Sequence, residues 1–582
     1  MKKRLLLILM ILLPMLASAD SVEINGIYYN LVSKIKEAEV TMNSNKYKGN
    51  VVIPASVIYD GTEYRVTSIG DYAFDCCADL SSVTIPSSIL KIGSNAFRNC
   101  GGLRTVHISD LAAWCGIDFV DSGSNPLYYV SPALCLGEME ITDVVIPSGV
   151  TSIGDWAFRG CRMTSVSIPS SVNKIGYGTF DGCNSLASVH ITDIAAWCNI
   201  SHTGYYSNPL QLSHRLYLND AEIKDLIIPN DVTNIKSYVF ESCSGLNTVF
   251  IPNSVTNIGD CAFHGCSGMT TVNIGSGVTN IGEWAFRGCS NLTSINIPNN
   301  IDSIKYNSFS YCESLKSIII PNSVKYIGSW AFSHSKNLRS LTIGNKVNSI
   351  DKGAFASCSE LEEVFCLAEN IPSTKTDVFN DSYIEYATLY VPDASVNAYK
   401  QAEPWKNFKT IIGLNGTIPQ MQKCATPTIS YGGKKLSFSC ATEGVDYVYE
   451  IKDSDIKKGY DSEIQLTATY EISVYATKTG YENSDVATAT LVWGSASFTE
   501  TTGTTSARPL TIDTPILIQS NGGVLTIQGV DDGTQVSVYS INGTEAGKAI
   551  IRNGCATVNT NLQTGSVAIV NVGEKSVKVV IK

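Results

Sequence analysis

A phenylalanine recurs along this chain at a spacing that ordinary globular domains do not produce. It stands at Phe74, Phe97, Phe158, Phe180, Phe240, Phe263, Phe286, Phe309, Phe332 and Phe355, and from Phe240 onward every interval is 23 residues. Around it runs the pattern L-x-x-V-x-I-P-x-x-V-x-x-I-G-x-x-A-F-x-x-C. Self-similarity at such a period is the mark of a stacked coil, in which each unit contacts only its neighbours. In "LTSINIP", Ile295 and Ile297 alternate with Ser294 and Asn296, which reads as a short strand with one apolar side. Pro298 has no N–H to donate and ends the ladder. "AFRGC" is too short for an independent helix and reads as one helical turn or an irregular corner. A single coil has one apolar face and cannot fold alone, whereas stacking buries a continuous core. The interval from Phe74 to Phe355 predicts about 12 turns, a stack roughly 60 Å long.

The unit "IGxxAFxxCxxLxxVxIPxSV" resembles the BspA-like class of leucine-rich repeat, common on bacterial surface proteins. The resemblance covers roughly residues 66–416 and implies a leucine-rich repeat solenoid with roles in adhesion and protein binding. Two long coils interrupt the array, at about 106–146 and 189–228. They resemble each other, as "VHISDLAAWCGIDF" and "VHITDIAAWCNISH" show. "DLAAWC" and "DIAAWC" predict short amphipathic helices capped by Asp110 and Asp193. Each insertion is either a protruding binding element or, the reading favoured here, a longer irregular coil.

The ends differ from the array. Residues 20–65 predict an N-terminal cap, in which Asp60-Gly61 marks a hairpin. The stretch 389–414 keeps the strand and then turns helical near Asp393, like a terminal coil. Two small all-β domains are expected beyond it. Residues 417–493 alternate as an all-β sandwich does and resemble the Ig-like modules of secreted bacterial glycosidases. Residues 494–509 have the Ser/Thr/Gly composition of a flexible linker. Residues 510–582 resemble the C-terminal sorting domain of Por-type (type IX) secretion substrates, which implies surface attachment. "GSVAIV" departs from the "GVYIV" frequent in those domains.

The N-terminus fits this location. Lys2, Lys3 and Arg4 precede an apolar run to Leu16, and Ala17-Ser18-Ala19 follows as a cleavage site, so residues 1–19 read as a signal peptide. Without them the net charge moves from −11 to about −14, which argues against a nucleic-acid partner. No later segment is long and apolar enough to span a membrane. The mature chain is expected to be exported, extracellular or on the outer cell surface.

Catalytic readings find little support. Cys77, Cys100, Cys161, Cys183, Cys243, Cys266, Cys289, Cys312 and Cys358 each sit three residues after a repeat Phe. A nucleophile is needed once and a metal site needs about four ligands, so a column of nine reads as structural. "CAFHGC" sets Cys261, His264 and Cys266 close together, but matches no strong zinc signature. Cys424 and Cys440 could form a disulfide, although a hairpin turning near Gly432-Gly433 sets Cys440 opposite Ala425 or Thr426 and leaves Cys424 out of line. No catalytic motif, metal site or cofactor is assigned, and the chain reads as a non-enzyme.

The strand face is the functional candidate. One outward column is uniform in hydroxyls: Ser82, Thr105, Ser165, Ser188, Thr248, Thr271, Ser294, Ser317 and Ser340, then Glu363. The other varies: Thr84, His107, Ser167, His190, Phe250, Asn273, Asn296, Ile319, Thr342 and Phe365. Variation where packing does not demand it is what a binding surface allows, and Phe250, Ile319 and Phe365 are expected as exposed apolar side chains there. The expected partner is a host or cell-surface protein. The alternative is a surface glycan, bound by an accessory protein of a polysaccharide system.

Overall fold

In the computed structural model the described residues are 21–204, 206–415, 422–432, 435–453, 463–477, 481–482, 484, 486–499, 516–521, 523–540, 543–563, 566–573 and 575–581. The expected signal peptide and most of the expected linker lie outside them. Two compact units divide the chain between residues 419 and 420.

The first unit is a β-solenoid of about 15 turns. The excess over 12 arises at the ends, where Gly49–Val52, Thr388–Val391 and Thr410–Gly413 continue the strand ladder beyond the Phe-bearing coils. Each regular coil contributes two parallel strands. The first carries the V-x-I pattern, as in Thr248–Ile251 against Thr271–Ile274. The second is two residues long, as in Asn234–Ile235, Asn257–Ile258 and Asn280–Ile281. In register, isoleucine sits beside isoleucine, so the apolar side of every coil meets the same core. That core is one cluster running from Ile27 to Ile411.

The phenylalanines form its spine. Phe240, Phe263, Phe286, Phe309, Phe332, Phe355 and Phe379 stack with ring centroids 5.2–5.6 Å apart and nearly parallel planes. The corner bearing them is a run of hydrogen-bonded turns whose N–H groups donate to the next coil, as in Phe263 N to Ala285 O and Phe286 N to Ser308 O. The cysteine column closes the corner from inside. Cys100, Cys183, Cys266, Cys289, Cys312 and Cys358 each donate Sγ–H to the Phe carbonyl of the preceding coil, 25 residues earlier for Cys183 and 26 for the others, at 3.0–3.4 Å. Ser382 makes the same bond to the Phe355 carbonyl at 2.6 Å, so the slot needs a small donor and not sulfur chemistry.

Both insertions are coils built into the core. Asp110 caps Leu111–Cys115 by accepting from Ala112 N and Ala113 N, and Asp193 caps Ile194–Cys198 by accepting from Ala196 N. Trp114 and Trp197 are fully buried and donate Nε1–H to Ala157 O and Val239 O. What reaches outward is small: the hairpins Ala133–Leu136 with Met139–Glu140, and Leu216–Leu218 with Ala221–Glu222. At each of these hairpins the first-strand sheet ends and a new one starts.

The N-terminal cap is an antiparallel meander, Val22–Ile24, Ile27–Val32 and Glu37–Val40, that joins Thr62–Ile69. Asp60 and Gly61 both take positive φ, the two-residue turn that matches strand twist. At the other end, short helical turns and the buried Trp405 and Tyr399 cover the last core layer.

The second unit is all-β. One sheet runs in the order Asp446–Asp453, Glu463–Thr477, Ala487–Thr499, Ile516–Asn521, Val524–Gln528, Cys555–Asn559. Strand pairing therefore crosses the boundary expected at 494–509. The reason lies in one strand: Ile516 and Ile518 face one core while Leu517 faces another with Ile429, Ile472, Val474, Ala489 and Leu491. Period-two alternation lets a single strand serve both cores. The hairpin register also differs from expectation. Gly432 pairs with Lys435 and Thr428 with Ser439, which carries Cys440 further from Cys424. The Cys440 thiol donates to the Ala425 carbonyl at 3.0 Å and is not bridged.

Candidate functional site

The variable column is brought together by the ladder. Thr84 pairs with His107, Ser167 with His190, Phe250 with Asn273, and Ile319 with Thr342 and then Phe365. The parallel register sets one side chain per coil in a line along the strand face.

Much of that line is already occupied. Phe365 is only 9% exposed, because it stacks on Tyr390 with centroids 4.4 Å apart. Thr342 and Asn273 are buried as well, and Phe250 and Ile319 are half-buried. Three freely exposed apolar side chains were expected here; strand spacing of about 4.8 Å instead lets each ring lean on its neighbour. Asn296 is half-buried and tied back to the neighbouring strand. Its strand is cut to Ser294–Ile295, and its amide accepts from Ile274 N at 3.2 Å and donates to Ile274 O at 3.0 Å, substituting for ladder bonds. His107 is held by the Gly137 carbonyl at 2.8 Å and the Thr105 hydroxyl at 3.1 Å. His190 contacts Asp220 at 3.1 Å and stacks on Tyr217 at 4.8 Å.

The exposed apolar members of the column lie in coils without a repeat Phe just before them. Val52 pairs with Thr84, Val145 with Ser167, and Ile227 with Phe250. They are 64%, 63% and 54% exposed. Ile412, beside Tyr390 at the far end, is exposed too. The signal was present as "NVVIP", "DVVIP" and "DLIIP", which keep V/L-x-I-P although the preceding corner is irregular. Each of these is the first strand of its coil group, so nothing from the previous coil covers its side chain.

The residues considered for a metal are engaged elsewhere. His264 Nδ1 lies 3.0 Å from Glu241 Oε1, and the Cys266 thiol donates to Phe240 O. No cluster of three or more metal-ligating side chains occurs among the described residues. Burial pushes the Cys100, Cys243, Cys261, Cys312 and Cys358 thiols up to about 12, the opposite of what a nucleophile needs. No helix among the described residues is long and apolar enough to cross a membrane.

Two-strand coils, a V-x-I-P strand face and a Phe spine define a leucine-rich repeat solenoid. The model of the BspA type leucine rich repeat region matches residues 61–115, 132–207, 210–312 and 291–401, and the chain belongs to that family. Solved structures similar to it include a leucine-rich repeat protein from Bacteroides ovatus, 23% identical with TM-score 0.43, covering 67% of this chain and 99% of that one. A leucine rich cell surface protein from Faecalibacterium prausnitzii is 23% identical with TM-score 0.35, covering 60% and 95%. The pneumococcal vaccine antigen PcpA is 19% identical with TM-score 0.39, covering 68% and 98%. A comparison with curated proteins returns no match.

Proposed function

We propose that this chain is an exported, cell-surface, non-catalytic binding protein, an adhesin that engages a host or cell-surface protein through the strand face of its solenoid. Membership of a leucine-rich repeat family favours binding over catalysis. The observation that carries the reading is the exposed apolar series Val52, Val145, Ile227 and Ile412, set by register in line with Ser167, Phe250 and Tyr390. Exposed apolar side chains on the strands of a rigid solenoid bind a partner with little ordering cost. Residues 1–19 would direct export. The second unit would space the solenoid from the cell and, through 510–582, attach it there, with 417–493 in the Ig-like role.

The test uses the full mature chain against immobilised matrix proteins and intact host cells. Val145→Asp with Ile227→Asp should lower binding at least about tenfold, since charge in an interface core is left unpaired. Unchanged binding by the folded double variant, or no binding by the native chain, would overturn the reading.

A further inference from the structure

The corner that carries the Phe spine holds a second arrangement, away from the strand face. The position after each repeat Phe forms its own column, and arginine occupies it at Arg98, Arg159 and Arg287. Each guanidinium lies over an aromatic ring that stands two residues before a repeat Phe: Arg159 over Trp156 at 4.9 Å and Arg287 over Trp284 at 5.0 Å in their own coils, and Arg98 over Tyr72 of the preceding coil at 5.4 Å. Two of the three are neutralised by a carboxylate in the same column of the adjacent coil. Arg98 Nε meets Asp75 at 2.8 Å, and Arg159 Nε meets Asp181 at 2.7 Å.

Arg287 has no such partner among the described residues. Its column neighbours are His264 and Ser310, and its Nη1 lies 3.0 Å from His264 Nε2. A guanidinium can only donate, so Nε2 is the acceptor and the imidazole proton sits on Nδ1, facing Glu241 Oε1 at 3.0 Å. The buried Glu241 is answered by His264 and by Gln211 Nε2 at 2.6 Å, not by the arginine. Neutral His264 thus orients Arg287 without cancelling its charge. The exposed Tyr311 completes the frame, its ring 4.9 Å from the guanidinium and stacked on His334 at 4.3 Å.

We propose that Arg287, framed by Trp284 and Tyr311, is a binding subsite for a carboxylate-bearing sugar of an acidic polysaccharide. The guanidinium fork matches a carboxylate in two parallel hydrogen bonds. The exposed ring of Tyr306, 6.1 Å from Trp284, attracts the polarised C–H groups of a pyranose seated on the guanidinium. An acidic peptide fits less well, because the corner offers it no backbone groups. Trp284 N, Phe286 N and Gly288 N already donate to Tyr306 O, Ser308 O and Ser310 O of the next coil. Recognition there is left to rings and a cation.

The experiment titrates the full mature chain with oligogalacturonate, with its methyl ester as the uncharged control and oligoglutamate as the peptide arm. Oligogalacturonate should bind and the other two should not. Arg287→Gln should weaken binding about tenfold or more, and Arg287→Lys should lose most of that, because a point charge lacks the fork. Arg339→Gln, at an arginine already paired with Glu360 and Glu362, should change nothing. Melting curves check folding, and Tyr311→Ala, which leaves the His264 contact intact, should also weaken binding. Equal binding of ester and acid, an unchanged affinity in folded Arg287→Gln and Tyr311→Ala, or oligoglutamate binding as tightly would each overturn the assignment. The Val145→Asp, Ile227→Asp variant should retain oligogalacturonate binding, which separates this site from the strand face.

Discussion

His202→Phe should make the solenoid resist acid. His202 ends the two-residue strand of the second insertion, in the slot that Phe119 fills in the first. Each residue meets its insertion's tryptophan edge to face, Phe119 with Trp114 at 5.2 Å and His202 with Trp197 at 5.9 Å. The site is built for an apolar ring, and neither imidazole nitrogen of His202 has a hydrogen-bond partner among the described residues. Burial, with Lys236 adding to it, lowers the imidazole from 6.5 to about 4, against a raising contribution from the Ser207 backbone. Because the folded value lies below the unfolded one, the unfolded chain binds the extra proton between pH 6.5 and pH 4, and stability falls as pH falls through that window. The loss attributable to this residue is about 2 kcal/mol at pH 5 and about 3 kcal/mol at pH 4, and near zero at pH 7. Thermal melts of wild type and His202→Phe from pH 7 to pH 4 should therefore diverge as acid is added, the variant melting higher. The difference between the two curves isolates His202 from the other five histidines and from the carboxylates. Parallel curves, or an imidazole resonance for His202 titrating near pH 6.5, would refute the reasoning.

Two further outcomes follow from the corner. In native buffer a disulfide exchange reagent should modify the exposed Cys76 quickly and leave the nine-membered column untouched until denaturant is added, because those thiols are buried and burial raises the pKa of every one; rapid native labelling of Cys289, read by peptide mapping, would contradict this. Gly353→Ala should cost about 1–3 kcal/mol, since Gly353 sits at φ +61° and a Cβ there would lie 2.6 Å from the Trp330 ring. Adding Trp330→Ala should recover part of the loss in melting temperature, because it removes the clash but not the backbone strain.

The 23-residue period was enough to fix the solenoid, since a coil with one apolar face has no other way to bury it. Local signals carried the caps and helices with equal clarity: Asp60-Gly61 for the hairpin, Asp110 and Asp193 for the two helix starts. The cysteine column was legible for a similar reason, because repetition itself rules out a unique reactive group. Reading the strand face was harder. Alternation says which residues point outward, but not how far a neighbour's ring leans over them: Phe365 lies under Tyr390, whereas Val145 and Ile227 stay exposed.

The sequence alone therefore determined the architecture of the first unit, its period, its core residues and the structural role of its cysteine column, because these depend on spacing along one chain. Tertiary structure decided what depends on the adjacent coil. It placed Ile516–Asn521 between two cores, covered Phe365 with Tyr390, and set neutral His264 instead of an aspartate beside Arg287. The period brings residues some 23 apart into contact, so each side chain's surroundings are set by a neighbour that local pattern cannot see.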